Sequence, residues 1–177
     1  MAKATTECRV YLACLACYNA GRLVGEWVDG EDAEDFDIGT MDHGADDPCP
    51  HEELAIHDHE GFGEWRPGEN ESLADVSAVA RLMGEHGEAF SAWYANGNAT
   101  GKSVSEWGDA FSEDYRGTYK SLADYAEELS EEIGDLESVP ERLRYHIDWE
   151  SVAREMEMGG DVWTADVSDG VAVFWNS

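Results

Sequence analysis

Ser121 to Glu137 reads SLADYAEELSEEIGDLE, and its two faces set the reading of the chain around it. At 3.6 residues per turn, Leu122, Tyr125, Ala126, Leu129 and Ile133 recur at i, i+3 and i+4 as an apolar stripe. Asp124, Glu128, Glu131 and Asp135 step along the opposite side, flanked by Glu127 and Glu132. Ser121 followed by Asp124 is a capping-box-like start, Gly134 an expected stop, and Pro140 lies beyond it. No Lys or Arg lies between Lys120 and Arg142, so the i,i+4 ion pairs of an ordinary surface helix are missing. Like charges at that spacing cost roughly 0.2–0.5 kcal/mol per pair. A step of three or four residues sets carboxylates about 5–6 Å apart. One strand of B-DNA carries a phosphate about every 3.4 Å of axis. A row of carboxylates at this pitch resembles a phosphate backbone. A single acidic helix is more often a solvated face, so the rest of the chain decides.

The 177 residues carry 40 acidic and 11 basic side chains, a net charge of −29. A hydrophobic fraction of 42%, with seven Trp, seven Tyr and five Phe, is enough for real cores, so the acidity does not signal disorder. This balance excludes nucleic acid and anionic membrane as direct ligands and favours basic partners, cations or high salt. Only three of the basic residues are Lys, which keeps adaptation to high salt open as an explanation of the charge. No apolar run reaches the 18 or so residues of a membrane helix. The N-terminal run, broken by Tyr11, Cys14, Cys17, Tyr18 and Asn19, reads as a strand rather than a signal peptide, and a cytoplasmic protein is expected.

An α+β fold is expected: an elongated chain of three small domains, with antiparallel sheets at both ends and helices between. In the first domain, residues 1–62, Arg9–Ala16 and Arg22–Val28 pair as a hairpin across a Tyr18–Gly21 turn, and Glu53–Glu60 adds a third strand. Asp29–Pro50 reads mainly as an acidic loop with one short helix near Ala33–Ile38. In the second, residues 63–102, Ser72 caps a helix that Gly84 and Gly87 break, and Ala89–Ala95 forms another. In the third, residues 103–177, Ser103–Tyr115 is a helix that precedes the acidic one. Pro140 and Asp148 start two further helices, and Asp161–Ala165 and Val171–Trp175 close the chain as a hairpin.

Cys14-Leu15-Ala16-Cys17 is a CxxC without a second pair, and Cys8 and Cys14 share strand parity with Val10 and Leu12, so buried small hydrophobes are the better reading. His57 and His59, with His51 nearby, share a strand face, but no third ligand stands at a fixed spacing, and a metal-dependent function through them is the weakest alternative. The acidic stretches Asp29–Asp37 and Asp42–Asp47 lack the residue order of a calcium loop. No cofactor, no metal and no catalytic residue is assigned.

Several blocks together carry a resemblance: Arg9–Ala13 (RVYLA), Tyr18–Trp27 (YNAGRLVGEW), Glu53–Phe62 (ELAIHDHEGF), Ser121–Leu129 (SLADYAEEL), Tyr145–Glu150 (YHIDWE), Ala153–Met156 (AREM) and Asp169–Phe174 (DGVAVF). In this order the chain resembles the ArdA family of antirestriction proteins. It departs from the family's pattern between Asp29 and Pro50, where a clearer helix is usual. The resemblance implies a non-enzymatic protein of a mobile genetic element or its host: a curved, elongated homodimer of three-domain chains. Its surface carboxylates would imitate the phosphates of bent B-form DNA and block the DNA-binding cleft of Type I restriction–modification enzymes. The family's antirestriction motif maps onto about Leu122 to Leu136. The candidate phosphate mimics are Glu106, Asp109, Glu113, Asp114, Asp124, Glu127, Glu128, Glu131, Glu132, Asp135 and Glu137. The aromatic residues Phe111, Tyr115, Tyr119 and Tyr125 beside them are candidates for a dimer surface, because aromatics favour such sites; ordinary core is the rival reading. The rival function is a salt-adapted acidic binding module without a DNA-enzyme partner.

Overall fold

The computed structural model describes residues 7–44 and 51–176. It is a mixed α+β chain with two three-stranded antiparallel sheets and helices between them. The chain divides into two compact units, Met1–Gly108 and Asp109–Ser177.

In the first unit, β1 (Arg9–Cys14) lies between β2 (Gly25–Asp29) and β3 (Leu54–Glu60), antiparallel to both. Its apolar character on both faces matches this central place: Val10, Leu12, Ala13 and Cys14 are fully buried. The register between β1 and β3 shifts by one residue between Tyr11 and Leu12, which leaves His57 as the extra residue of a bulge. The strand expected through Ala16 ends at Cys14, a short helix, α1 (Leu15–Asn19), takes up the first half of the expected Tyr18–Gly21 turn, and β2 begins only at Gly25.

The acidic segment after β2 is more ordered than its composition suggests. Gly30–Asp35 and Ile38–Thr40 are 3-10 turns, started by Asp29 and Asp37, whose carboxylates accept from the Glu31 and Gly39 amides. Helix α2 (Leu73–His86) packs on the first turn. The buried Ser77 hydroxyl donates to the Gly30 carbonyl at 3.0 Å and accepts from the Glu34 amide at 2.9 Å. Gly30 has to be glycine, because a Cβ there would sit 2.9 Å from the Ala80 Cβ. Residues 45–50, including part of the Asp42–Asp47 stretch, lie outside the described residues.

Gly84 does not break α2; the helix runs through it and ends at Gly87, whose φ is 52°. An interior glycine costs about 1 kcal/mol. Here Val76, Val79, Ala80 and Met83 bury the helix deeply enough to offset that. Helix α3 (Glu88–Ala95) supplies Phe90 and Trp93, both fully buried and stacked at 5.7 Å. Helix α4 spans Val104–Asp114 and contains the boundary between the units.

In the second unit the sheet order is β4-β6-β5, with β4 at Tyr115–Tyr119, β5 at Val162–Val167 and β6 at Gly170–Trp175. The closing hairpin is present as expected, but β4 corrects the sequence reading, which continued the preceding helix into Tyr115. Helix α5 (Leu122–Glu132) packs on α7 (Trp149–Gly159) and touches β4 and β6. Tyr125 forms a core with Val162 and Val173, against which Leu122, Leu129 and Met156 pack. The indole N–H of Trp175 donates to the Tyr125 hydroxyl at 3.0 Å, fixing α5 to β6. Ile133, placed in the apolar stripe by its spacing, is 61% exposed, since α5 ends at Glu132 and Gly134 turns the chain away with φ 81°. Pro140 precedes the one-turn helix α6 (Glu141–Arg144) rather than opening a long one. Asp148 caps α7 by accepting from the Ser151 amide at 3.1 Å, as Ser121 caps α5.

Gly170 at the hairpin turn has φ 140°, and a Cβ there would lie 2.1 Å from the Tyr119 carbonyl oxygen. Backbone against backbone leaves no side chain to yield. Gly170→Ala is therefore expected to destabilise the second unit by about 2–3 kcal/mol. Urea unfolding followed by circular dichroism reads this directly, and an unchanged midpoint would refute it.

Candidate functional site

The side chains of α5 follow from its two-faced sequence. Tyr125 and Ala126 are buried, and Asp124, Glu127, Glu128, Glu131 and Glu132 are exposed. Ser121 and Asp124 close the helix start reciprocally: the Asp124 amide donates to the Ser121 hydroxyl oxygen, and that hydroxyl donates to the Asp124 carboxylate. A carboxylate in the first turn suits the helix dipole, whereas Glu131 and Glu132 in the last turn oppose it. Asp135 and Glu137 continue the exposed acidic run on the 3-10 turn Asp135–Ser138.

On α4, Glu106, Asp109 and Glu113 are exposed. Glu106 lies in the first unit, and the other nominated carboxylates lie in the second. The hydroxyl and then the amide of Ser103 donate to Glu106, which holds its carboxyl below the usual range. Asp114, at the helix end, does not share this exposure: it is 5% exposed, inside the fold rather than on the acidic surface. Among the described residues none of the other ten nominated carboxylates is ion-paired. On α5 the carboxylates are thus spaced by the helix, exposed and, among the described residues, without an ion-pair partner.

The second unit also holds a cleft of about 580 Å³ lined by Glu127, Glu131, Glu137 and Glu141, by Arg144, and by the rings of Tyr145 and Trp149. Four carboxylates outnumber the one guanidinium of Arg144, so the partly enclosed space is net negative. Glu141 was not among the sequence candidates; its place just after Pro140, at the start of a helical turn, was the available signal.

The four aromatic candidates for a dimer surface divide. Phe111 is fully buried and Tyr125 is 3% exposed, both within the core of the second unit. Tyr115 and Tyr119 are half-buried, Tyr115 against Phe111 and Phe174, Tyr119 edge-on to Tyr125. Burial, and then the charges of Glu128 and Glu132 among its neighbours, push the Tyr119 phenol above its ordinary range. The large apolar side chains that this unit does expose are Ile133, Leu143, Tyr145, Met158 and Trp175.

His57 and His59 face different rings, Tyr18 and Phe62, and among the described residues they belong to no group of three metal donors. Cys8 and Cys14 are buried, as expected, and so is Cys17, but the structure brings His43 and His51 to Cys14 and Cys17, a constellation the sequence reading did not assemble. Cys8 stands apart: its thiol donates to the Gly61 carbonyl at 3.2 Å, and burial, followed by Asp29 and Glu31, pushes its pKa to about 12.

Exposed carboxylates held on a helix, none of them ion-paired among the described residues and backed by a packed sheet, define an acidic surface. The family model for antirestriction protein (ArdA) matches residues 10–171 of the 177. The chain belongs to the ArdA family of antirestriction proteins. That membership supports an antirestriction function. Among curated proteins nothing matches the chain. No helix among the described residues is long and apolar enough to cross a membrane.

Proposed function

We propose that the protein inhibits Type I restriction–modification enzymes by occupying their DNA-binding cleft, with its carboxylates in place of the phosphates of bent B-form DNA. The observation that carries this reading is the set of exposed carboxylates on α5, none of them ion-paired among the described residues. A helix selected only for stability would intersperse Lys or Arg at i+4, and this one has none. The phosphate mimics of this reading are Glu106, Asp109, Glu113, Asp124, Glu127, Glu128, Glu131, Glu132, Asp135 and Glu137, with the buried Asp114 removed from the set. The cleft bordered by Glu127, Glu131, Glu137 and Glu141 has three more carboxylates than its own Arg144 can neutralise, which suits it to a Lys or Arg side chain that otherwise grips a phosphate. Long-range attraction between −29 and a basic cleft speeds the encounter, and many weak contacts share the affinity.

The same reading includes a homodimer, cytoplasmic action, a mobile-element origin and three small domains, 1–62, 63–102 and 103–177. Tyr115 and Tyr119, which retain exposure, are the aromatic candidates left for the dimer surface.

The test is competition. A Type I methyltransferase core is bound to a labelled duplex carrying its site, and the purified protein is titrated in at several salt concentrations. Displacement near stoichiometric ratios, weaker at higher salt, is expected. A folded protein that displaces nothing at low salt would refute the proposal and leave the acidity as a salt-adapted surface, whose mark is stability that climbs steeply with salt.

A further inference from the structure

Cys14 closes β1, Cys17 lies in α1, and His43 and His51 arrive from the chain far downstream. Their four donor atoms all lie within 4.8 Å of one another. The Cys14 Sγ is 3.3 Å from the His51 Nδ1, and the Cys17 Sγ is 3.6 Å from the His43 Nδ1 and 3.7 Å from the His51 Nδ1. We infer that these side chains form a structural zinc site of Cys2His2 type, separate from the acidic surface and independent of the proposed target.

The distances fit the ion. Zinc bonds of 2.3 Å to sulfur and 2.0–2.1 Å to nitrogen, at the tetrahedral angle, place sulfur and nitrogen about 3.6 Å apart. Mixed thiolate and imidazole donors are the set that zinc takes in preference to the hard cations. Four protein donors leave no open position, which marks a structural rather than a catalytic centre. The surroundings orient the donors. The His43 Nε2 is 3.0 Å from the Ile38 carbonyl oxygen, which can only accept, so Nε2 carries the proton and the Nδ1 lone pair faces the sulfurs. Arg22 donates from Nη2 to the Cys17 Sγ at 3.4 Å and from Nη1 to the His43 carbonyl at 3.3 Å, an outer-shell contact suited to a thiolate.

One feature changes on loading. The His43 and His51 rings are stacked with centroids 3.6 Å apart, whereas rings diverging from a tetrahedral ion stand about 5 Å apart. The pair opens by side-chain rotation as the ion enters. The ion then ties the end of β1 and α1 to the two ends of the segment between His43 and His51. Closing that loop onto the sheet restricts the unfolded chain more than the folded one.

The full-length chain, purified in reductant from zinc-supplemented cells and passed through a weak chelator, is expected to retain one zinc by elemental mass spectrometry. Cobalt(II) in its place should give the visible bands of tetrahedral thiolate coordination. Zinc should slow alkylation of Cys14 and Cys17, mapped by peptide mass spectrometry, while Cys8 reacts slowly with or without it. The double variants C14S/C17S and H43Q/H51Q should each lose the metal. The alkylation map needs no variant, so a variant that does not fold leaves the test intact. A folded, reduced protein that retains no zinc would overturn the site. So would bound zinc that leaves Cys14 and Cys17 as reactive as before, because the ion would then sit on surface carboxylates.

Discussion

The combined substitution Glu127→Gln, Glu128→Gln, Glu131→Gln and Glu132→Gln is expected to weaken displacement of DNA from the restriction enzyme about a hundredfold. Each substitution alone is expected to weaken it only two- to fivefold. An exposed charge contact contributes on the order of 0.5–1 kcal/mol, and 1.4 kcal/mol is tenfold in affinity, so about 2–4 kcal/mol is shared among the four. The same block has the opposite effect on folding. It relieves the like-charge pairs Glu127–Glu131 and Glu128–Glu132 at i,i+4 and Glu128–Glu131 at i,i+3, and it removes negative charge from the helix end where the dipole disfavours it. Stability should rise slightly while inhibition falls, a combination that misfolding cannot produce. Asp124 is left in place because it closes the helix start with Ser121. Competition titrations paired with thermal melts decide the matter. Inhibition abolished by one carboxylate, or undiminished in the fourfold variant, would mean that the affinity is not spread over this helix.

Phe174→Ala is expected to destabilise the second unit by about 3–5 kcal/mol, the usual range for removing a buried Phe. Phe174 is fully buried on the central strand β6, stacked on Trp163 at 4.1 Å and in contact with Phe111 and Tyr115 at ring separations of 6.1 and 5.4 Å. Three elements, α4, β4 and β5, lose a common partner, and the void is too central to collapse easily. Domains are stable by about 5–15 kcal/mol in total, and this one must also hold its acidic helices against mutual repulsion. The variant should therefore be marginal at low ionic strength and regain part of its stability in salt, which screens the repulsion but does not fill the cavity. Urea unfolding at two salt concentrations measures both effects. A loss below about 1 kcal/mol would show that the cluster does not organise the unit.

Elements with strong periodicity were legible in the sequence. The two-faced pattern of Leu122–Leu129, the Ser121 cap, the helix start at Asp148 and the closing hairpin all stand where the residues place them, whereas Ser72 precedes α2 without a side-chain cap bond. What escaped was set by packing. Tyr115–Tyr119 follows α4 with no Pro or Gly between, and a helical period runs into Tyr115 without a break; only pairing with β6 makes it a strand. Gly84 looks like a breaker, but contact with the turn at Gly30–Asp35 keeps the helix whole. For the acidic surface, side-chain type and spacing gave the exposed set, but the burial of Asp114 depends on where the helix ends. The Cys–His constellation was illegible because Cys14 and His51 are 37 residues apart, and Cys17 and His43 are 26 apart. No fixed spacing links such pairs; the antiparallel sheet does.

The hydrogen bond from Trp175 to Tyr125 carries a practical consequence. Cut out of the chain, Ser121–Glu137 would be a polyanion of 17 residues lacking the sheet that it packs on. Isolated helices of that length are marginal even in favourable sequences. A synthetic peptide of this stretch should be a coil in water and a poor inhibitor at equal concentration. If the acidic helix is the recognition element proposed above, the smallest useful reagent must retain the strands that carry Val162, Val173 and Trp175.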